Sequence, residues 1–155
     1  MILGIDTDVL ISWLVEVSPR HHDARRLIEK EIREEGSSLA LTPLVVQEFL
    51  HIATDPKRFK EPLTMPEAVQ RIWEIWDSEE VVRVLPAPEV LPRTLELLLD
   101  RKLGRKRILD TALAVTLEFA GVHRLATFNP ADFKIFEFLE LVDPPTAKGP
   151  RPRLV

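Results

Sequence analysis

The sequence predicts a doubly wound α/β/α sandwich built on a mainly parallel sheet of about five strands. Short apolar runs, typical of buried strands, alternate along the chain with longer segments whose apolar residues recur at helical spacing. Strands that are apolar throughout, rather than on alternate residues, are typical of a parallel sheet covered on both faces. The length of 155 residues fits one domain, and no repeat or inter-domain linker interrupts it. We expect this domain to span residues 1–146, followed by an extended or mobile basic tail at 147–155.

The first elements follow directly from the opening of the chain. Residues 2–5 are predicted to form the first strand, and residues 9–17 have the spacing of a helix. Ser18-Pro19 is suited to begin a second helix, because Ser favours the N-cap and Pro the first helical position. The helical spacing then continues to Gly36, which is typical of a helix end.

The middle of the chain repeats this pattern. Residues 38–41 are predicted to be the second strand, and Thr42-Pro43 begins a third helix. Thr64 and Glu67 have the spacing of a capping box and precede an amphipathic stripe, which predicts a fourth helix. Residues 81–85 are rich in valine and predict a third strand.

The last elements are predicted from the same signals. Residues 88–102 and 107–120 have helical spacing, and Gly121 closes the second of these helices. Residues 123–127 and 139–142 are short apolar runs that predict two further strands.

Composition and charge exclude several classes of protein. The chain has no cysteine, which excludes disulfides and thiolate chemistry, and no apolar run near the roughly 20 residues that a membrane span needs. The opening lacks the basic region of a signal peptide, so we expect a cytoplasmic location. With 21 basic and 25 acidic residues the net charge is −4, so any nucleic-acid contact requires a local basic patch.

Acidic residues occur at places where the sequence is otherwise apolar. Asp6 directly follows the first strand, Glu48 borders the apolar face of the third helix, and Asp110 lies in the first turn of a later helix. Asn129 and Asp132 follow the fourth strand. Ligands of doubly wound sheets bind at the carboxyl ends of the strands, where these segments can meet. Three carboxylates held close together repel one another, and a hard divalent cation such as Mg²⁺ removes that penalty and can activate water against a phosphodiester.

Each of these acids also has a simpler structural explanation. Asp6 and Asp132 are suited to cap helices, and capping is the favoured role of Asp8. Glu48 could extend from its helix flank into water, and Asp110 could serve only as a favourable first-turn anion.

The segments that carry these acids resemble a known family. GIDTDVLI is similar to the DTNVLI opening of PIN domains, and VVQEFLHIATDPKRF resembles the second acidic segment of VapC-type toxins. ILDTALAVTLEFAGVHRLATFNPADF resembles their third acidic segment, running on to the T-x-[DN]-x-DF stretch. The resemblance covers nearly the whole chain in the right order.

This resemblance implies a Mg²⁺- or Mn²⁺-dependent endoribonuclease. Members of the family mostly act as toxins neutralised by a cognate antitoxin, and many are homodimers. The family's first three acids fall on Asp6, Glu48 and Asp110, of which the first and third are expected to hold the metal. The fourth position falls on Asn129, which carries no charge, with Asp132 as a possible substitute.

The resemblance also suggests residues that contact substrate. Thr7 and Thr127 match small hydroxyl positions that could orient carboxylates, water or phosphate. Apart from the resemblance, the densest basic run is RKLGRKR, Arg101 to Arg107, directly before the third acid. Its last three residues, Arg105, Lys106 and Arg107, could attract RNA phosphate. Equally, this run could be a solvated loop.

Two rival functions are kept open by the sequence. A haloacid-dehalogenase-like phosphatase also has D-x-D after its first strand, which would make Asp6 a nucleophile. However, Val9-Leu10 stands where such a phosphatase has Gly-Thr. A catalytically silent PIN-like domain that binds RNA or a protein partner is the second rival, because Asn129 replaces an acid.

Overall fold

A computed structural model of the chain describes residues 1–142 and shows five parallel strands surrounded by helices. The strands are β1 (Ile2–Ile5), β2 (Ser38–Leu41), β3 (Val81–Arg83), β4 (Arg124–Ala126) and β5 (Glu140–Val142). The helices are α1 (Thr7–Leu14), α2 (His21–Arg33), α3 (Pro43–Ala53), α4 (Met65–Trp76), α5 (Val90–Asp100), α6 (Ile108–Phe119) and α7 (Pro130–Phe133), with a 3₁₀ turn at Arg105–Arg107. The predicted tail, residues 147–155, and the predicted domain boundary at residue 146 lie outside the described residues.

The sheet has the strand order β3-β2-β1-β4-β5, and every neighbouring pair is parallel. Chain order therefore reverses direction at the central strand β1, where doubly wound sheets form their ligand crevice. Ile5 pairs with Ala126 across β1 and β4, so the next residues, Asp6 and Thr127, leave neighbouring strands side by side. The predicted fold class is confirmed, and the register brings two predicted site residues together.

The core lies on both faces of the sheet, as the apolar strands predict. Helix α1 packs against α2 and α3, while α5 packs against α6. The largest fully buried side chains come from both strands and helices, among them Leu3, Ile5, Leu39, Leu41, Phe49, Leu117 and Phe133. Within residues 1–142, no helix is long and apolar enough to cross a bilayer.

One glycine is required by close packing between the sheet and a helix. A Cβ added to Gly4 on β1 would lie 2.8 Å from Cδ1 of Leu117 on α6 and 3.1 Å from the carbonyl oxygen of Arg124. Both distances are too short for an ordinary contact, so a side chain at this position would push α6 away from the central strand.

Three helix starts differ from their predictions, and the simplest case is α5, which begins at Val90 rather than at residue 88. Helix α1 begins at Thr7 rather than at residue 9, because Asp6 supplies the cap. Helix α2 begins at His21, and Ser18 acts only through its carbonyl oxygen, which accepts from the N–H of His21 at 3.0 Å. Since Arg20 occupies the N-cap position without a side-chain cap bond, the predicted cap at Ser18-Pro19 is wrong.

A largely buried ion pair between Glu31 and Arg124 lies at the amino-terminal edge of the sheet. Both Nη atoms of Arg124 donate to the carboxylate of Glu31, at 2.9 and 3.0 Å, and the hydroxyl of Ser37 donates to it at 2.9 Å. The Glu31 side chain is 6% exposed and that of Arg124 15%. The Arg124 guanidinium is the main reason that the pKa of Glu31 lies below its ordinary range.

Candidate active site

Asp6 lies at the carboxyl end of the central strand and is fixed by three hydrogen bonds. Its backbone N–H donates to the carbonyl oxygen of Ala126 at 3.1 Å, which holds it beside β4. The N–H of Thr7 donates to Oδ1 at 2.7 Å, and the hydroxyl of Thr127 donates to Oδ2 at 2.9 Å. Asp6 is therefore the N-cap of α1 and, at 8% exposure, a buried carboxylate at the predicted site.

Burial and neighbouring negative charge together raise the pKa of Asp6. The pKa of Asp6 is raised from 3.8 to about 7, mainly because burial removes its carboxylate from water and next because the negative charge of Asp8 is close. The hydrogen bonds from Thr127 and Thr7 oppose this rise, and the charge of Asp110 adds to it. The predicted hydroxyl positions thus stabilise the ionised form of Asp6, while other acids destabilise it.

Glu48 and Asp110 lie in the same electrostatic neighbourhood. The pKa of Asp110 is raised to about 6, first by burial and then by the charge of Asp132, with Arg107 opposing the rise. The pKa of Glu48 is also raised, first by burial and then by Asp110 and Asp8, with a hydrogen bond to the Thr7 side chain opposing it. The structure therefore brings together the acids that the sequence places 42 and 62 residues apart (48 − 6 and 110 − 48).

Asp8 belongs to this cluster rather than to a helix cap. It lies in the first turn of α1, and its charge contributes to the raised pKa values of Asp6, Glu48 and Asp110. The favoured capping role for Asp8 is therefore wrong. Either acid of the D-T-D stretch could cap the helix by sequence alone, and the strand end at Ile5 places Asp6 at the N-cap.

Asn129 holds Asp8 in place. Its side-chain Nδ2 donates to Oδ2 of Asp8 at 2.7 Å, and its backbone N–H donates to the hydroxyl oxygen of Thr127 at 3.0 Å. Asn129 thus connects the segment after β4 to the first turn of α1. An aspartate at this position would place a second negative charge against Asp8, so the amide is matched to its neighbour.

Asp132 brings a negative charge to the edge of the cluster and is bound by arginine. Nη1 of Arg107 lies 3.0 Å from Oδ1 of Asp132 and donates to its carbonyl oxygen at 2.8 Å. The Asp132 side chain is 47% exposed, and its charge raises the pKa of Asp110. Of the two residues predicted for the fourth acidic position, Asn129 therefore binds a neighbouring acid and Asp132 supplies charge.

The last three residues of the basic run differ in whether they form an ion pair. Arg107 is bound to Asp132, whereas Arg105 and Lys106 are exposed and form no ion pair with any residue of 1–142. All three form a 3₁₀ turn directly before α6, the helix that carries Asp110 in its first turn. Arg105 and Lys106 are thus the members of the run that are open to a phosphate.

The site has the donor chemistry of a hard cation that keeps much of its water. Within residues 1–142 no three acidic, histidine or cysteine side chains are placed to bind one ion directly. Mg²⁺, however, is commonly held by one or two carboxylates together with water and substrate phosphate. Asp6 and Asp110 fit this requirement, since they present oxygen donors, their pKa values are raised by burial and then by neighbouring acids, and neither forms an ion pair within residues 1–142.

Comparisons with known proteins agree with this fold. The family model of the PIN domain matches residues 4–139, so the chain belongs to the PIN domain family. It is similar to Ribonuclease VapC24 of Mycobacterium tuberculosis, with 29% identity over 156 residues that cover 95% of this chain and 99% of the relative. The predicted resemblance to PIN domains is confirmed, and the haloacid-dehalogenase alternative is wrong.

Solved structures show the same fold at lower identity. VapC20 of Mycobacterium tuberculosis, described as a toxin that cleaves the sarcin–ricin loop, superposes with a TM-score of 0.62 at 15% identity. That match covers 79% of this chain and 86% of VapC20. A toxin–antitoxin complex from Klebsiella pneumoniae gives a TM-score of 0.61 at 16% identity and covers 94% of this chain and 99% of the matched one.

Proposed function

We propose that this protein is a divalent-metal-dependent endoribonuclease and the toxin of a toxin–antitoxin pair. The observation that carries the proposal is the cluster of Asp6, Glu48 and Asp110, whose pKa values are all raised, at the carboxyl edge of a PIN-family sheet. The similarity to a curated ribonuclease supports the reaction class. Holding one buried and two half-buried acids close together without an ion pair to any of them is costly, so the cluster is explained best by a cationic ligand.

In this proposal Asp6 and Asp110 hold Mg²⁺ or Mn²⁺. The bound ion would supply an activated water and offset negative charge on the phosphodiester. Thr127 and the Thr7 backbone hold both oxygens of Asp6, which fixes the carboxylate's orientation. Glu48, whose pKa is raised above its ordinary value by burial and by Asp110 and Asp8, is suited to act as a general base.

The segment after β4 completes the site. Asn129 keeps Asp8 in position through the amide contact, and Asp132 adds charge next to Asp110. Arg105 and Lys106 are proposed to attract the RNA backbone, because they are exposed cations directly before the helix that carries Asp110.

The biological setting extends the proposal to partners and location. One structural neighbour is a toxin–antitoxin complex, which supports a cognate antitoxin for this chain. The resemblance to VapC-type proteins also favours a homodimer acting in the cytoplasm. Induced expression of the chain is expected to arrest growth, and Glu48→Gln is expected to relieve that arrest. Light scattering of the purified chain tests whether it is a dimer.

The deciding experiment is cleavage of a mixed RNA pool that includes a circular RNA, which only an endonuclease can open. Wild type should cleave with Mn²⁺ and lose activity in excess chelator, while Asp6→Asn and Glu48→Gln should be inactive. Glu34→Gln is the matched control, because Glu34 is an exposed residue at the C-cap of α2, at the other end of the sheet. Cleavage by all variants, or by none, would contradict the proposal; no cleavage with retained RNA binding would favour the silent PIN-like alternative.

A further inference from the structure

A second pocket adjoins the carboxylate cluster. This cavity of about 270 Å³ is bordered by Asp8 on one side and continues along Ser18, Arg20, Arg58, Phe59 and Phe128. We call it the Arg20 pocket. Asp8 belongs to both sites, and Phe128 lies between Thr127 and Asn129, so the pocket and the acidic cluster are contiguous.

Arg20 has one nitrogen that its own chain does not satisfy. Its guanidinium stacks on the ring of Phe128, 3.6 Å from the ring centroid, and its Nε lies 3.7 Å from Oδ2 of Asp23. The Nη2 atom is buried and lacks a hydrogen-bond partner. The hydroxyl oxygen of Ser18 is also buried and also lacks a partner. These are the two buried side-chain atoms without a partner in residues 1–142, and both residues line the same cavity.

Unpaired buried polar atoms are costly, which points to a ligand. A buried donor left without a partner costs about 1–3 kcal/mol, and native structures contain few of them. Stacking on Phe128 and the long contact with Asp23 explain how Arg20 is held but leave Nη2 unsatisfied. A group that enters the cavity with acceptor oxygens would satisfy this nitrogen once the guanidinium turns it toward the cavity, since Nη2 itself is buried.

The lining favours a phosphate over a base. Arg20 and Arg58 bring two guanidinium groups, and Arg58 is exposed and forms no ion pair within residues 1–142. The Phe128 face is already covered by Arg20, so a base cannot stack on that face. Asp8 would repel a phosphate, but it is the one acid among the lining residues and faces two guanidinium groups.

We propose that the Arg20 pocket binds a phosphate group of the RNA strand beside the cleaved bond, through Arg20, Arg58 and Ser18. This inference rests on the proposed function, because it assumes an RNA substrate at the acidic cluster. The pocket lies on the α1–α3 side of the cluster, whereas Arg105 and Lys106 precede α6. The strand would therefore have a cationic contact on each side of the carboxylates.

The test is binding of fluorescent single-stranded RNA decamers in chelator, where cleavage does not interfere. Fluorescence anisotropy is measured across a range of salt concentrations for wild type, Arg58→Gln, Arg20→Lys and Arg20→Gln. Arg26→Gln is the matched control, because Arg26 is exposed on α2, forms no ion pair within residues 1–142 and lies outside the pocket. Unfolding curves identify any variant whose fold is weakened, and exposed Arg58 carries the test if Arg20 variants are unstable.

We expect Arg58→Gln to weaken binding about fivefold, and Arg20→Gln about tenfold, with Arg26→Gln unchanged. The slope of log affinity against log salt should fall by about 0.7 for each lost phosphate contact. Oligo-U and oligo-A should lose affinity equally, because phosphate contacts carry no sequence information.

The inference would be overturned if Arg58→Gln and Arg26→Gln bound alike, if wild type did not bind, or if only one base sequence lost affinity. These outcomes are distinguishable from failure of the nuclease proposal. A wild type that binds through the Arg20 pocket but never cleaves would contradict only the proposed activity. Normal cleavage with binding unaffected by the pocket variants would contradict only the pocket.

Discussion

Neutralising Asp6 should make the metal-free protein more stable at alkaline pH. Asp6 is 8% exposed, and its pKa is raised from 3.8 to about 7 by burial and by neighbouring acids. Since each pKa unit corresponds to about 1.4 kcal/mol, ionising Asp6 in the folded protein costs about 4 kcal/mol above pH 7. Asp6→Asn removes this cost while it keeps a carbonyl oxygen that can accept from Thr7.

The direction with pH follows from the raised pKa. Stability associated with protonated Asp6 is fully present below its ordinary pKa of 3.8 and is lost as the pH rises to about 7. Of the roughly 4 kcal/mol that ionising Asp6 costs, about 3 kcal/mol should be lost between about pH 5 and pH 8. Asp6→Asn should therefore already be about 1 kcal/mol more stable than wild type near pH 5, and about 4 kcal/mol more stable near pH 8.

Urea unfolding in chelator at a series of pH values measures this difference. Asp100→Asn, an exposed acid at the end of α5, is the control and should show no such pH-dependent gain. Added Mn²⁺ should stabilise wild type near pH 8 and have little effect on Asp6→Asn, because the proposed cation would bind the folded state through this carboxylate. A difference between wild type and Asp6→Asn that does not change with pH would refute the reasoning.

Three further substitutions test the fold by the same urea unfolding measurement. Gly4→Ala should lose about 1–3 kcal/mol, because its Cβ would meet Leu117 at 2.8 Å, whereas Gly104→Ala, with nothing within 4 Å, should change stability little. Arg124→Met should lose about 3 kcal/mol of stability at neutral pH, because it leaves Glu31 buried without its partner. This loss should shrink at low pH, where Glu31 is protonated. An equal loss at low pH would contradict the ion-pair explanation. Thr64→Ala should lose about 1 kcal/mol with its capping box, and an unchanged midpoint would show that the cap contributes nothing.

The order of elements could be predicted from local sequence signals. All five strands occur where apolar runs predict them, and the capping box of Thr64 and Glu67 begins α4 as expected. Helix starts are harder to predict because several residues near a boundary are suited to cap it. Ser18-Pro19 has cap composition, but the chain makes a turn there and the helix begins at His21.

The positions of the site acids were predictable, but their bonding pattern was not. A strand end, a helix flank and a first turn identify Asp6, Glu48 and Asp110, since these are local features. The contact between Asn129 and Asp8 joins residues 121 positions apart and depends on the register of β1 and β4. No local pattern specifies such a contact, and the same is true of Arg20 stacking on Phe128.

The two ends of the sheet should obey opposite rules of amino-acid replacement. At the amino end, Glu31 and Arg124 compensate each other, so a change in one is tolerated only when the other changes as well. At the carboxyl end the acids repel, so neutralising one of them leaves the others better accommodated. Among related chains, paired substitutions are therefore expected at Glu31 and Arg124, while a chain released from selection for activity can lose Asp6 alone and still fold.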